Sequence, residues 1–456
     1  MPTRILNYTK ADLSEIAVEI LALAKKKGAS DADLDISVGR GTSISVRMGA
    51  LETIELNKDK SISITVYFNK LRGSSSTSDF SKDSINSCVE AACDIARYTS
   101  EDNAFGLAKP ELHAKEFKNL GLYSPWEVDQ KEMIRLAIEC EHSALSYSDK
   151  VKNSEGSSIN TSESLFVYAN SNGFLGGFPS SRHSLSCSVI SSDKSGMQRD
   201  YSYSSARKFE KLKSTKDVGQ DSASRALRRL GPAKIKTGRY PVIFEAPVAS
   251  SIISALVSAV SGGNLYRESS FLLNSLGSKV TSSILTIKED PFQLSGNAST
   301  SFDDDGVMVQ PRLVVDKGYL SGYFLSTYSG RRLGMETTGN AGGAHNLIIN
   351  ATVENLNKLI AQMDTGLIVT ELLGQGLNMV TGDYSRGVAG LWVEKGMIKH
   401  AVEEITIAGN MKDMLMGIVG VGGDVYLNGS KYTGSILIED MTVATVISSI
   451  KIEPVY

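Results

Sequence analysis

The sequence has 456 residues, which is more than one hydrophobic core usually organises, so two or three domains are expected. Its net charge is −3, and its 48 basic and 51 acidic residues form no basic stripe, which argues against direct contact with nucleic acid. There is no apolar run of the roughly 18 residues that a membrane span needs and no signal-peptide pattern, so a cytoplasmic location is expected.

The first hundred residues alternate helical and strand-like patterns. Apolar spacing predicts one helix over residues 11–28, ended by Gly28, and a second over 82–98. Between them, four stretches alternate apolar and polar residues and predict short antiparallel strands separated by turns: LDISVGR, TSISVRMG, ALETIELN and SISITVYF. Residues 99–123 have the composition of a loop.

A third helix is predicted to begin at the segment SPWEV and to end near Ser146. Ser124 can cap its first turn, Pro125 suits the first helical position, and Glu127 completes a capping box. These three residues together predict a helix start at residue 124.

The following segment predicts more strand and then a domain boundary. Residues 151–206 read as strands with a turn at Asn172-Gly173, and a helix is expected near 217–229. The segment GPAKIKTGRY then indicates a junction. We therefore expect an N-terminal α+β domain over residues 1–232, subdivided near 100–123, and a C-terminal domain over residues 233–456.

The second half is rich in glycine and predicts a mainly-β domain. Strand-like segments such as LTIKED, TGLIVTELLG and GSILIEDMTVA are joined by glycine turns. Helices are expected at 247–261, near 355–363 and at 410–418. The predicted fold class is α+β: N-terminal helices packed on an antiparallel sheet, followed by a C-terminal glycine-rich mainly-β domain.

The cysteines and histidines form no local metal motif. None of the four cysteines belongs to a CxxC pair, so buried free thiols are expected. None of the five histidines is followed by glutamate, so HExxH and its one-residue-longer relative are absent. In HAVEE, a strand would place His400 and Glu404 on one face and Glu403 on the other.

Two glycine-rich segments contain further candidate residues. His345, at the end of GNAGGAHN, is either a base or a residue that fixes a turn through a backbone hydrogen bond. In TELLGQGLNMVTGDYSRGVAG, residues 383–386 (Asp, Tyr, Ser and Arg) either line a pocket or satisfy one another in hairpin turns. Both alternatives stay open for each segment.

A helix predicted directly after the strand RYPVIFEA has little chemistry of its own. The segment SALVSAVSGGNLYRES is apolar, its only polar helical side chains are three serines, and Gly262-Gly263 is expected to close the helix. No base lies nearby in sequence, so the segment alone predicts a plain core helix.

Several long motifs resemble the TldD/PmbA family, and more narrowly its PmbA branch, also called TldE. They are FDDDGVMVQPRLVVDKGYLSGYFLSTYSGRRLG, TTGNAGGAHN, TGLIVTELLGQGLNMVTGDYSRGVAGLWVEKGMI and VEEITIAGNMKDML. Segments of the first half, such as SISITVYFNKLRGSSSTSDFS, are also similar, so the resemblance spans nearly the whole chain. The resemblance implies a cytoplasmic zinc-dependent protease of two related subunits, linked to peptide-antibiotic maturation and to modulation of DNA gyrase.

The resemblance also implies where a zinc site would lie. In the TldD branch an HExxxH helix and a C-terminal cysteine bind zinc. Anchored on the ending at Arg267, the histidines fall on Ser254 and Ala259, the glutamate falls on Ala255, and the cysteine falls near residues 420–423, where there is no thiol. These residues cannot bind zinc, so no catalytic residue and no bound metal are expected in this chain.

The resemblance thus predicts a non-catalytic subunit that helps to form a substrate chamber. Zinc would belong to a TldD-like partner in a heterodimer, with a homodimer in its absence and peptides or unfolded proteins as substrates. Two alternatives stay open: a hydrolase using His345, Asp383, His400 and Glu404, and a non-proteolytic regulator of gyrase. The candidate chamber or interface residues are Arg267, His345, Asn346, Asp383, Tyr384, Ser385 and Arg386.

Overall fold

The computed structural model describes residues 3–445, and none of its helices is long and apolar enough to cross a membrane. The helices are α1 Lys10–Lys26, α2 Lys82–Arg97, α3 Gln130–Leu145, α4 Thr215–Leu227, α5 Ala246–Ala259, α6 Gly262–Tyr266, α7 Thr327–Arg332, α8 Leu356–Met363 and α9 Met411–Met416. The strands of the first half are β1 Asp31–Arg47, β2 Ala50–Phe68, β3 Leu71–Thr77, β4 Val151–Asn170, β5 Leu175–Asp193 and β6 Gly196–Ala206.

The second half holds eleven further strands within the described range. They are β7 Gly238–Phe244, β8 Ile287–Asp290, β9 Arg312–Asp316, β10 Tyr319–Leu320, β11 Asn346–Ile349, β12 Gly366–Leu373, β13 Asp383–Glu394, β14 Met397–Asn410, β15 Ile418–Val421, β16 Lys431–Tyr432 and β17 Ile436–Thr445. The α+β class and the mainly-β second half are confirmed, and the predicted helices other than the third lie within a few residues of their expected bounds.

The N-terminal sheet is antiparallel, in the order β3-β2-β1-β4-β5-β6. The prediction of four short strands before residue 69 is wrong, because they form two long strands joined by a turn at Met48-Gly49. Gly39 and Gly41 lie inside β1, where continuous pairing with β2 and β4 holds the chain extended. Whether a glycine ends a strand depends on whether the residues around it pair with neighbouring strands. The local sequence does not show that pairing.

Helices cover one face of this sheet. Alternate residues of β1 such as Leu34 and Ile36 pack against α1 and α2, and Ile44 and Val46 pack against α3 and α4. The four cysteines are buried as free thiols, as expected (Cys88, Cys93, Cys140 and Cys187). On the opposite face, an aromatic cluster that includes Phe174 packs against Phe302 of the second half, which joins the two halves.

The predicted start of the third helix is also wrong. α3 begins five residues later, with Asp129 as its cap in place of Ser124, and Asp129 accepts a hydrogen bond from the backbone N–H of Glu132 at 2.8 Å. The segment SPWEV, from residue 124, makes tertiary contacts instead of forming a helix. The backbone N–H of Ser124 donates to Ser181 Oγ at 2.8 Å, and Trp126 stacks on Phe209 with 3.8 Å between ring centroids. These contacts hold the segment extended.

The second half contains two sheets around the largest hydrophobic core. One has the order β14-β13-β12-β7-β17-β15, with an additional β14–β17 pairing, and the other has the order β10-β9-β8-β11-β16. α5 follows β7 directly and places buried residues such as Ile252 and Leu256 in the core between them. The core therefore fixes the position of α5.

Gly262-Gly263 does not close α5 as expected but begins α6. The backbone N–H of Gly262 donates to the carbonyl of Phe324 at 2.8 Å. A β-carbon at Gly262 would lie 2.2 Å from Ser329 Oγ in α7. The glycine is thus explained by the close approach of α7, a contact between residues distant in sequence.

Candidate functional site

The residues that the family resemblance points to lie on α5. The Ser254 hydroxyl donates to the carbonyl of Ser250 at 2.7 Å, one turn earlier in the same helix. Ala255 and Ala259 are buried in the core. This stretch of helix therefore presents one hydroxyl, already used in a backbone hydrogen bond, and two methyl groups.

These residues do not fit a zinc ion. Zinc in proteins takes imidazole, thiolate or carboxylate ligands, and the side chains of Ser254, Ala255 and Ala259 provide none. Residues 420–423 form the end of β15 and the turn after it, and they carry only glycine and valine. Across residues 3–445, no group of three or more His, Cys, Asp or Glu side chains could hold a metal ion.

Two adjoining cavities, of about 340 and 310 Å³, lie between β6, α4 and the start of α5. We call them the α5 cleft. Ser250, whose carbonyl accepts the Ser254 hydroxyl, lies in its wall. The cleft therefore reaches to within one helical turn of Ser254, the first of the positions to which the family resemblance points. Both cavities are lined by Tyr201, Tyr203, Arg225, Pro247 and Tyr426.

An ion-pair network forms one wall of the α5 cleft. Arg228 binds Glu245 with two hydrogen bonds of 2.7 and 2.8 Å, and Arg225 reaches the same carboxylate at 3.1 Å. Arg225 also contacts Asp200 at 3.1 Å. Burial by itself would raise the pKa of Glu245, but the hydrogen bond and charge of Arg228, together with Arg225, lower it below its ordinary value. The carboxylate is therefore ionised and fixes both arginines.

The three tyrosines of the α5 cleft were not among the predicted site residues. Tyr201 and Tyr203 alternate along β6 and share one face, with ring centroids 6.3 Å apart, and Tyr426 lies edge-on to Tyr203. Alternating tyrosines in the segment YSYSS were the available sequence signal. The sequence could not show that Tyr426, more than 200 residues later in the chain, lies beside them.

His345 and Asn346 hold the segment before β11 in place. His345 Nε2 lies 2.9 Å from the carbonyl of Gly339, and its backbone N–H donates to Glu289 at 2.8 Å. The side chain of Asn346 donates to Ser299 and accepts from the backbone N–H of Ala298. His345 also lines a cavity of about 290 Å³ between the two halves of the chain.

Residues 383–386 lie at the start of β13. The Asp383 carboxylate accepts hydrogen bonds from Thr381 and Asn410, which lower its pKa. Tyr384 is buried, and burial raises its pKa to about 12. Within the described chain the Tyr384 hydroxyl has no hydrogen-bond partner, and Arg386 reaches the carbonyl of Gly374. Ser385 is exposed beside them.

Arg267 lies on the surface after α6. Its guanidinium lies 5.3 Å from the centroid of the Tyr266 ring, and Arg332 contacts the same ring at 5.4 Å. The structure thus places the predicted residues in three separate groups. No hydrogen bond within residues 3–445 links Arg267, the His345–Asn346 pair or residues 383–386 to one another.

The common face predicted for His400 and Glu404 is interrupted by a bulge in β14. Glu403 and Glu404 together stand opposite one residue of β13, and Glu404 has a φ of 52°. This bulge interrupts the alternation of side chains, so both glutamates are exposed. Glu403 accepts a hydrogen bond from Gln198 at 2.8 Å.

Family models of the PmbA/TldA metallopeptidases match most of the chain. The matches cover domain 1 over residues 32–96, the central domain over 123–230 and the C-terminal domain over 237–445. Metalloprotease PmbA of Escherichia coli is 44% identical, covering 93% of this chain and 94% of its own. A metalloprotease PmbA homologue of Haemophilus influenzae is 42% identical, covering 97% and 98%.

More distant relatives carry other names from the same group. A metalloprotease TldD homologue of H. influenzae is 26% identical over 44% of each chain. A crystal structure of a candidate modulator of DNA gyrase from Bacteroides thetaiotaomicron superposes with a TM-score of 0.91 at 28% identity, covering 96% of this chain and all of its own. TldE from Thermococcus kodakarensis has the same fold, with a TM-score of 0.83 at 19% identity, covering 94% of this chain and all of its own.

Proposed function

This chain belongs to the PmbA/TldD family of metallopeptidases, and from that membership we propose that it is the non-catalytic, PmbA/TldE-like subunit of a zinc peptidase. The catalytic zinc belongs to a TldD-like partner chain. The two chains together enclose a chamber in which small or unfolded peptides are cleaved. The complex works in the cytoplasm.

One observation carries this proposal. A catalytic relative would hold two histidines and a glutamate on α5. This chain has at those positions Ser254, whose hydroxyl donates to a backbone carbonyl of the same helix, and the buried residues Ala255 and Ala259. A carboxylate that activates a zinc-bound water needs both the metal and a place beside it. This chain has neither a zinc ligand nor a carboxylate at Ser254, Ala255 and Ala259, although β7 and α5 are present.

The α5 cleft supports a role in forming the chamber. Tyrosine rings and fixed arginines give a surface that contacts peptides of varied sequence through stacking and hydrogen bonds. Because Glu245 holds Arg225 and Arg228 in place, these side chains lose little freedom when a peptide binds. Arg267, His345, Asn346 and residues 383–386 remain proposed chamber or interface residues.

The test is co-expression of this chain with the TldD-like chain of the same genome. We expect a 1:1 complex that contains zinc and cleaves an unfolded peptide, and we expect a chelator to abolish the cleavage. This chain alone should bind no stoichiometric zinc. As a matched control, Ser254→His combined with Ala255→Glu and Ala259→His should give weak zinc binding at best, because the thiol and the supporting contacts are absent.

Two outcomes would decide against the proposal. Stoichiometric zinc and peptidase activity from this chain alone would favour an independent hydrolase. A 1:1 complex that cleaves no peptide would favour a non-proteolytic regulator of gyrase, the role suggested by the name of the B. thetaiotaomicron relative. Mass, zinc content and peptidase rate of each purified species distinguish these results.

A further inference from the structure

The first part of β2 is an open sheet edge. β3 pairs with β2 only from Ile62 to Phe68, so residues 50–60 have β1 on one side and no strand of the described chain on the other. All residues from Ala50 to Asp59 are exposed. We call residues 50–60 the β2 edge. Its outward N–H and C=O groups form a template for pairing with another strand.

The β2 edge is apolar at positions that the fold elsewhere buries. Register with β1 is continuous from residue 54 to 67, so Ile54 and Leu56 share a face with the buried residues Ile62 and Ile64. Ile64 packs in the core that α1 and α2 cover, whereas Ile54 and Leu56 are 39% and 62% exposed. Ile54 and Leu56 of the β2 edge are therefore apolar in the same pattern as the core residues of β2, but no helix within residues 3–445 covers them.

The other edges of this sheet are protected. α2 packs closely on the face of β3, since a β-carbon at Gly73 would lie 2.1 Å from the carbonyl oxygen of Ala92. On the outer side of β3, the Thr99 hydroxyl donates to the carbonyl of Arg72 at 3.1 Å. On β6, the side chain of Asn428 accepts from the N–H of Ser205 at 3.0 Å and donates to the carbonyl of Tyr203 at 2.8 Å. Soluble proteins cover long apolar edges in such ways, or pair them.

We propose that the β2 edge pairs antiparallel with the β2 edge of a second copy of this chain, across a two-fold axis near Leu56. The two sheets then continue into one, with the helices of both copies on the same face. This inference deepens the proposed function by assigning a contact surface to the homodimer expected without the TldD-like partner. It rests on the edge itself and not on peptidase activity.

The sequence of the edge is complementary to itself in this arrangement. With Leu56 opposite its own copy, Ile54 lies opposite Lys58, whose aliphatic stem can cover it, and Glu52 lies opposite Lys60. No two like charges stand directly opposite each other. An in-register parallel pairing would place each charged residue beside its own copy, which is unfavourable. Charge therefore favours the antiparallel two-fold dimer.

Two opposite charges at Leu56 test the proposal. Wild type should sediment as a dimer at micromolar concentration, and Leu56→Glu or Leu56→Lys alone should shift the mass to that of a monomer, because each places like charges on the axis. An equimolar mixture of the two variants should recover the dimer. Met197→Glu, at a 74% exposed position on β6, is the matched control and should leave the mass unchanged. Lys60 is left intact because it also lies over the Phe80 ring.

Three results would overturn the proposal. One is a wild-type chain that stays monomeric at tens of micromolar, and another is a dimer that persists in both single variants. The third is a monomeric wild type whose binding to the TldD-like chain is lost in Leu56→Glu, which would assign the β2 edge to that partner. Unchanged thermal unfolding of the variants shows that they fold. Zinc and peptidase assays are separate readouts, so failure here is distinguishable from failure of the proposed function.

Discussion

At the scale of single residues, several carboxyl groups lie where the two halves of the chain meet. Burial raises the pKa of Asp33 to about 7, and the charges of Asp305 and Asp35 add to this effect. The pKa of Asp303 is also raised to about 7, again chiefly by burial. The Tyr67 hydroxyl donates to Asp33 at 3.2 Å and only partly compensates. Ionisation of these groups works against the folded state.

The sign of the resulting pH dependence follows from linkage. The pKa of Asp33 is higher in the folded state than its ordinary value of 3.8. The folded state therefore binds more protons than the unfolded state between these values, and the free energy of unfolding falls as the pH rises from about 4 to about 7. Above pH 7 this contribution is constant.

We predict that Asp33→Asn raises the free energy of unfolding at pH 8 by about 1–3 kcal/mol and changes it little at pH 4, because the amide cannot ionise. Urea denaturation at pH 4, 6 and 8 measures the difference. Asp149→Asn, at an exposed position in the turn before β4, serves as the control and should have little effect at any pH. An Asp33→Asn effect of equal size at all three pH values would contradict the prediction.

At the scale of elements, α3 and α4 approach each other closely at a glycine. A β-carbon at Gly219 of α4 would lie 2.3 Å from the carbonyl oxygen of Cys140 in α3, and backbone cannot yield easily. The glycine is thus required by helix packing, although a glycine inside a helix usually costs stability relative to alanine.

We predict that Gly219→Ala lowers the free energy of unfolding by about 1–3 kcal/mol, because the clash outweighs the better helix propensity of alanine. Thermal or urea unfolding measures this change. Gly263→Ala in α6 is the control, since its β-carbon would meet only the flexible end of Arg267 at 3.4 Å. A stabilised Gly219→Ala variant would show that the two helices separate without cost.

At the scale of the whole molecule, polar contacts hold the two halves together. Arg331 of α7 donates to the carbonyls of Ala104, Gly106 and Leu107 in the long loop of the first half. Arg228, at the end of α4, binds Glu245 at the start of α5. The wall of the α5 cleft therefore also joins the two halves, so loss of its charge should loosen the whole molecule.

We predict that Glu245→Gln lowers the free energy of unfolding at neutral pH by about 3 kcal/mol, because it leaves two partly buried arginines under-compensated. The folded-state pKa of Glu245 is lowered, so its contribution is present above the ordinary pKa and is lost as the pH falls through the folded-state value. The difference from wild type should therefore shrink in acid.

Chemical denaturation at pH 7 and at pH 3 provides the measurement. Glu90→Gln, which breaks an exposed pair with Lys27, is the matched control and should cost less than about 1 kcal/mol. If Glu245→Gln were no more destabilising than this control, the network would not join the two halves.

The sequence by itself determined the α+β class, most helices and the family. Apolar spacing is a local property, so α1, α2, α4 and α8 could be predicted from it. The sequence also predicts that Ser254, Ala255 and Ala259 on α5 do not bind zinc, because their side chains lack ligand atoms for the metal whatever their geometry.

Only the tertiary structure decided where elements begin and end and what surrounds α5. β1 continues past Gly39 because it pairs with β4, which is distant in sequence. Ser124 lies outside α3 because its backbone contacts Ser181. A bulge in β14 interrupts the alternation of side chains between His400 and Glu404. The α5 cleft joins Tyr203 to Tyr426, far apart in the chain. Such contacts depend on hydrogen bonds and packing between remote segments, and a local pattern of residues does not contain that information.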